Sequence, residues 1–152
     1  MPRIPAQHVG TAPNGVEIYR PIVLIRIEIG GLAVEAPGLV DSGADNTLVP
    51  DGYIAALGVA FKDLPILGMG TGPGGGLQTR LCTGRILYNG ILVCDSFTVA
   101  KTTTLDSVLL GRADFFTKFV PRFLWHKNPP EFDLDPVSEG KAAAPRKKVH
   151  RR

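Results

Sequence analysis

The stretch Leu39-Val40-Asp41-Ser42-Gly43-Ala44-Asp45-Asn46-Thr47-Leu48-Val49 constrains this chain more than any other part of it. An apolar run leads into a carboxylate, a hydroxyl, a glycine and a second carboxylate, and a strand-like Thr-Leu-Val follows. Glycine permits a tight turn and lets another backbone come close. The pattern therefore presents Asp41 at the end of an apolar strand, at the edge of a cleft, with the Ser42 hydroxyl able to hold neighbouring backbone. Asp-Ser-Gly is also an ordinary turn tripeptide, because each of its residues favours turns for local reasons. The apolar flanks, Asp45 and a second motif downstream weigh against that plainer reading.

The second motif is Val108-Leu109-Leu110-Gly111-Arg112-Ala113-Asp114-Phe115-Phe116. Alone, its Gly-Arg reads as a helix start with a solvated charge. Between the two motifs lies Gly68-Met69-Gly70-Thr71-Gly72-Pro73-Gly74-Gly75-Gly76, six glycines in nine residues. Gly70, Gly72 and Gly75 satisfy GxGxxG, but a dinucleotide site needs a helix to open at that point. Leu77 to Thr83 is strand-like instead, so a hairpin with a glycine-rich tip fits better, with a plain surface loop as the competing assignment. Asp106-Ser107-Val108 lacks the glycine and is no second acid loop.

The first motif resembles the active-site loop of retropepsin-like aspartic proteases, which reads Asp-Thr/Ser-Gly-Ala-Asp. The second resembles their apolar-apolar-Gly-Arg-Asp/Asn signature, here with Ala113 inserted before Asp114. The resemblance spans roughly residues 18–135. It implies an all-β (mainly β) fold: a closed acid-protease barrel of a single lobe, with one short C-terminal helix and a glycine-rich flap. It makes Asp41 the catalytic acid, supported by Ser42, Gly43 and Ala44. Gly43, Asp45, Asn46 and the flap residues Met69, Gly70, Thr71 and Gly72 would line the substrate groove. Arg112 would pair with Asp45 as a partly buried structural ion pair. No metal or cofactor is implied. The chemistry needs two carboxylates sharing one proton, and this chain has one such loop and half the length of a two-lobed pepsin. A homodimer is therefore expected, hydrolysing a peptide or protein substrate. The alternative is a catalytically silent dimer of the same fold that binds extended peptides.

Composition agrees with a β domain. Of 152 residues, 44% are hydrophobic, and eighteen glycines and thirteen prolines suit short strands joined by tight turns. No apolar run is long enough for a membrane helix, and Met1-Pro2-Arg3-Ile4-Pro5 does not read as a signal peptide, so a cytoplasmic location is expected. The net charge of +3 conceals an asymmetry: fourteen acids and eleven basic residues up to Glu139 leave the body at −3, and the last twelve residues hold six Lys and Arg. That tail reads as solvated; nucleic acid or an anionic surface is its other reading, weakened by the absence of aromatics. With Asn89-Gly90 as a two-residue turn, Tyr88 faces Ile91 and Arg85 faces Cys94. Cys82 then falls on the other face of the ribbon, and no disulfide is expected. His8, His126 and His150 are isolated, and no Cys/His spacing suits zinc.

In order, residues 1–15 read as an extended arm, 16–135 as the protease-like domain and 136–152 as a basic, disordered tail. Within the domain, Val16 to Ile29 and Leu32 to Val40 form a hairpin about Gly30-Gly31 that delivers Asp41. A short helical piece follows Pro50 as far as Leu57. A long hairpin runs from Arg80 to Ala100, and residues 113–120 read as an amphipathic helix. Two short strands flank Asn128-Pro129-Pro130.

Overall fold

A computed structural model describes residues 2–72 and 75–138, and for 69–72, 75 and 76 the backbone only. The basic tail from residue 139 onward lies outside the described residues. The first strands are β1 (Ile4–Pro5), β2 (Gln7–Thr11), β3 (Glu17–Arg20), β4 (Ile22–Ile29), β5 (Leu32–Val40) and β6 (Leu48–Pro50). Helix α1 (Asp51–Ala55) and a 3₁₀ turn (Phe61–Asp63) precede β7 (Ile66–Gly72), β8 (Gly75–Tyr88), β9 (Ile91–Ala100) and β10 (Val108–Leu110). Helix α2 (Phe115–Lys118), β11 (Phe119–Leu124) and β12 (Glu131–Pro136) complete the order.

Alternation builds the barrel. On β4, Val23, Ile25 and Ile27 are buried while Leu24 and Arg26 face solvent, the period of a strand with one face on a core. Gly30 and Gly31 turn the chain at φ 57° and 82°, and β5 returns in register from Ile29↔Leu32 to Ile22↔Leu39. Strands β4-β5-β10-β6-β9-β8 follow one another, and β4 pairs with β8, so six strands close on themselves. Strand β7 is attached outside that ring and, among the described residues, pairs with β8 alone. The fold is a closed, mainly β barrel with few helices.

Closure depends on a bend in β8. Tyr88↔Ile91 and Leu87↔Leu92 pair as the Asn89-Gly90 turn dictates, but a bulge places Ile86, not Arg85, opposite Cys94. Bulges bend and twist a strand, and here the bend carries β8 from β9 onto β4. Gly84 marks the crossing: a Cβ there would lie 2.9 Å from Ile29 Cγ1 and 3.0 Å from the Glu28 carbonyl oxygen. Arg85 faces Glu28 instead, 3.5 Å away. Both thiols are free, Cys82 buried and Cys94 half-buried, and burial pushes the Cys94 thiol up to about 12.

One end of the barrel is plugged by aromatics. Phe115 and Phe119 stack at 5.0 Å, and Tyr88 meets Phe119 edge-on at 5.2 Å. Helix α2 is shorter than residues 113–120, because Asp114 caps it and Phe119 is already extended. Val120 precedes Pro121, a position that disfavours helical backbone. The chain continues as β11, which pairs with β12, and β12 pairs with β1. The first fifteen residues are thus extended but are no separate arm: β1 joins that sheet, and β2 forms a hairpin with β3 across the 2.8 Å Gly15–Ala12 turn bond.

Phe115→Ala should cost about 3–5 kcal/mol of unfolding free energy through the cavity it leaves. Urea denaturation followed by near-UV circular dichroism measures it.

Candidate active site

Strand β10 lies between β5 and β6, parallel to the first (Val108↔Gly38 to Leu110↔Val40) and antiparallel to the second (Leu109↔Leu48). The chain leaving β5 must therefore pass over the end of β10 before it enters β6. That crossing is the loop carrying Asp41. Backbone bonds hold it to the segment after β10: the Asp41 amide donates to the Leu110 carbonyl at 3.1 Å, the Arg112 amide to that of Ala44 at 2.9 Å, and the Ala113 amide to that of Asp45 at 2.9 Å. Gly111 is required by this approach. A Cβ there would sit 2.4 Å from the Asn46 carbonyl carbon and 2.8 Å from its Cα.

A buried polar network locks the same crossing. Thr47 has no exposed surface. Its hydroxyl donates to Asp114 Oδ1 at 2.6 Å and accepts from the Gly111 amide at 3.2 Å. Its own amide donates to Asp114 Oδ2 at 3.3 Å, and Asp114 Oδ1 also accepts from the Phe115 amide at 2.8 Å as the cap of α2. One carboxylate thus satisfies the loop and the helix start together. Sequence reasoning missed this role; the available signals were a Thr within an apolar run and an Asp at a helix N-cap position.

Asp41 is half-buried, and its Oδ1 accepts the Gly43 amide at 2.9 Å. The Ala44 amide donates to the Asp41 carbonyl at 3.2 Å, closing the turn. A side chain at position 43 would crowd the carboxylate, since its Cβ would lie 3.2 Å from Asp41 Oδ1. Ser42 is exposed beside it. Asp41 and Ser42 open into a depression of about 310 Å³ shared with Arg20, Leu39, Phe123 and Trp125.

Asp45 and Arg112 are joined by a hydrogen-bonded ion pair, but at the surface: their side chains are 81% and 57% exposed. The partly buried pair expected from the sequence is corrected accordingly, since exposed ion pairs contribute little. Asn46 is exposed, and its backbone is what presses on Gly111.

Strands β7 and β8 form the glycine-rich hairpin, paired from Ile66↔Arg80 to Gly72↔Gly75, and a strand rather than a helix follows the glycines. The side chains of Met69 and Thr71 and the tip at 73–74 lie outside the described residues. The root of the hairpin is clamped by residues that the sequence did not flag. Thr79 Oγ1 donates to the Gly68 carbonyl at 2.9 Å across a bulge. Arg80 Nη1 donates to the Leu64 carbonyl at 2.7 Å, and its guanidinium sits 5.1 Å from the Phe61 ring centre.

This barrel, with an acid loop crossing between two strands and a glycine-rich hairpin, is a retropepsin-like fold. The structure is similar to a retropepsin-like aspartic protease from Rickettsia conorii, with a TM-score of 0.55 at 16% identity over 88% of this chain and 99% of that one. It is also similar to EIAV protease solved with an inhibitor, with a TM-score of 0.50 at 21% identity over 62% of this chain and 83% of that one. No protein-family profile and no curated protein sequence matches the chain.

Two substitutions separate the buried anchor from the exposed one. Asp114→Ala should cost about 3 kcal/mol, the scale of charged hydrogen bonds plus a helix cap. Arg112→Ala should cost less than about 1 kcal/mol. Chemical denaturation of the two variants side by side measures the difference, and equal losses would contradict the assignment.

Proposed function

We propose that the chain is a retropepsin-like aspartic endopeptidase acting as a homodimer, with one Asp41 from each protomer. The observation that carries this is the Asp41 carboxylate, held by the Gly43 amide at an open depression in a retropepsin-like fold. The described residues contain no second loop of this kind, so the paired carboxylate comes from a second copy.

Two carboxylates ~3 Å apart cannot both ionise and so share one proton. The ionised one takes a proton from the water between them, and that water's oxygen bonds to the scissile carbonyl carbon. The protonated one gives its proton to the carbonyl oxygen, forming a gem-diol. Collapse breaks the C–N bond as the nitrogen receives a proton, and the dyad ends with its single shared proton restored. The nucleophile is water, so no metal or cofactor is called for.

The remaining roles are those that the family resemblance implies. Ser42 bridges to the other loop, and the Gly43 carbonyl accepts from substrate backbone. Asp45 and Asn46 border the groove, with Asp45 oriented by Arg112. The hairpin tip with Met69, Gly70, Thr71 and Gly72 closes over a peptide bound as an added strand, and water exclusion there strengthens the dyad's electrostatics. Among the described residues no helix is long and apolar enough to cross a membrane. The two free thiols accord with a reducing, cytoplasmic setting.

Digestion of a mixed peptide library between pH 4 and 7, read by mass spectrometry, tests the assignment. Wild type should cut, and Asp41→Asn should lose about a thousandfold or more in rate while keeping its fold. Undiminished cutting by Asp41→Asn would remove Asp41 from the chemistry. Tight peptide binding without cleavage at any pH would favour the silent, peptide-binding dimer.

A further inference from the structure

The turn between β4 and β5 and the bend in β8 border a cavity of about 430 Å³. It lies where β5 begins, at Leu32, whereas Asp41 follows the last residue of that strand, Val40. At ~3.3 Å per residue the two are roughly 25 Å apart along the strand. No residue lining this cavity borders the depression at Asp41. Backbone forms much of its wall. A Cβ on Gly30 or Gly31 would meet nothing within 4 Å, and at Gly84 the close approach of Ile29 and the Glu28 carbonyl excludes any side chain.

Two arginines line the same space, Arg26 from β4 and Arg85 from β8, and both meet one acid. Arg26 Nε donates to Glu28 Oε2 at 2.8 Å, and Arg85 Nη1 lies 3.5 Å from Glu28 Oε1. Glu35 stands directly opposite Arg26 on β5, yet Arg26 turns along its own strand to Glu28 on the cavity wall. A guanidinium carries five N–H donors in a planar fork. Among the described residues Glu28 is the only side-chain partner of either arginine, so most of both forks stays open. Two positive charges face one negative charge here. Beside them lie Ile29, Ala33 and Leu32, the last 57% exposed.

We propose that this cavity binds a small monocarboxylate with an apolar body, its carboxylate bridging the free edges of Arg26 and Arg85 and its body resting on Ile29, Leu32 and Ala33. A second carboxylate brings the charges lining the site into balance. The guanidinium fork matches a carboxylate's two oxygens side by side, which favours this anion over a spherical one. The volume falls within the range of small-molecule sites. A free apolar acid has this chemistry, and so does the C-terminal residue of a peptide. The site is separate from the acid loop, so it stands or falls apart from the peptidase reading.

Isotope-labelled wild type is titrated with phenylacetate, N-acetylleucine, phenylacetamide and acetate, and amide shifts are followed by NMR. The two apolar acids should bind with a Kd on the order of 1 mM. The largest shifts should fall at Gly30, Gly31 and Thr83 to Arg85. Phenylacetamide lacks the charge and acetate lacks the body, so each should bind about tenfold or more weakly. Arg26→Gln and Arg85→Gln should each weaken binding of the apolar acids about tenfold. Lys118→Gln, which removes an exposed cation of α2 outside the cavity, should leave it unchanged. Tighter binding of N-acetylleucine than of phenylacetate assigns the site to a peptide C-terminus, and the reverse order to a free acid; either upholds it. No saturable shift at about ten times the expected Kd overturns the site. So do shifts centred elsewhere, equal binding of the amide or of acetate, or unchanged affinity in a folded arginine variant. The shift map uses unaltered protein and decides the matter even where a variant does not fold.

Discussion

The Thr47 hydroxyl, wholly buried, donates to Asp114 and accepts from the Gly111 amide, and the geometry of the acid loop depends on those bonds. A loop that passes over a strand end brings backbone against backbone in a place water does not reach. Each buried donor or acceptor left unpaired there would cost about 1–3 kcal/mol. Asp114 answers three donors at once, while Gly111 gives the room that any side chain would fill. The result is a rigid platform on which Asp41 stands half-exposed, its carboxylate turned by the Gly43 amide. Rigid support beneath an exposed acid is what a shared-proton mechanism asks of a scaffold.

The hairpin β7–β8 is held differently. Among the described residues, its root is tied down by Thr79 and by Arg80 under the Phe61 ring, and strand β7 pairs outside the closed ring. The molecule thus combines a locked acid loop with a glycine-rich hairpin clamped at its root. The same β8 strand serves both ends, since its bulge near Gly84 also closes the barrel.

Local pattern made much of this readable from the sequence. Strand β5 has the bounds that Gly30-Gly31 and the apolar run toward Asp41 indicate, and the Asn89-Gly90 turn fixes Tyr88 opposite Ile91. Both depend on neighbours in the chain. What escaped depends on distance: Thr47 and Asp114 are 67 residues apart, and no periodicity links them. The bulge opposite Cys94 reflects barrel closure, which a flat hairpin reading does not contain. The exposure of Asp45 and Arg112 was equally hidden, because a sequence shows that two charges can meet without showing what covers them. The early end of α2 was readable in principle from Val120-Pro121 but was outweighed by the apolar spacing around it.

The central claim is that two chains each give one Asp41 to a single site, and subunit mixing tests it directly. Wild type is combined with Asp41→Asn at fixed total concentration, the subunits are allowed to exchange, and peptide cleavage is measured against the wild-type fraction. A shared site requires both carboxylates, so activity should fall with the square of that fraction, to about a quarter at equal mixing. A linear fall, with about half the activity left at equal mixing, would show that each chain works alone and would contradict the account.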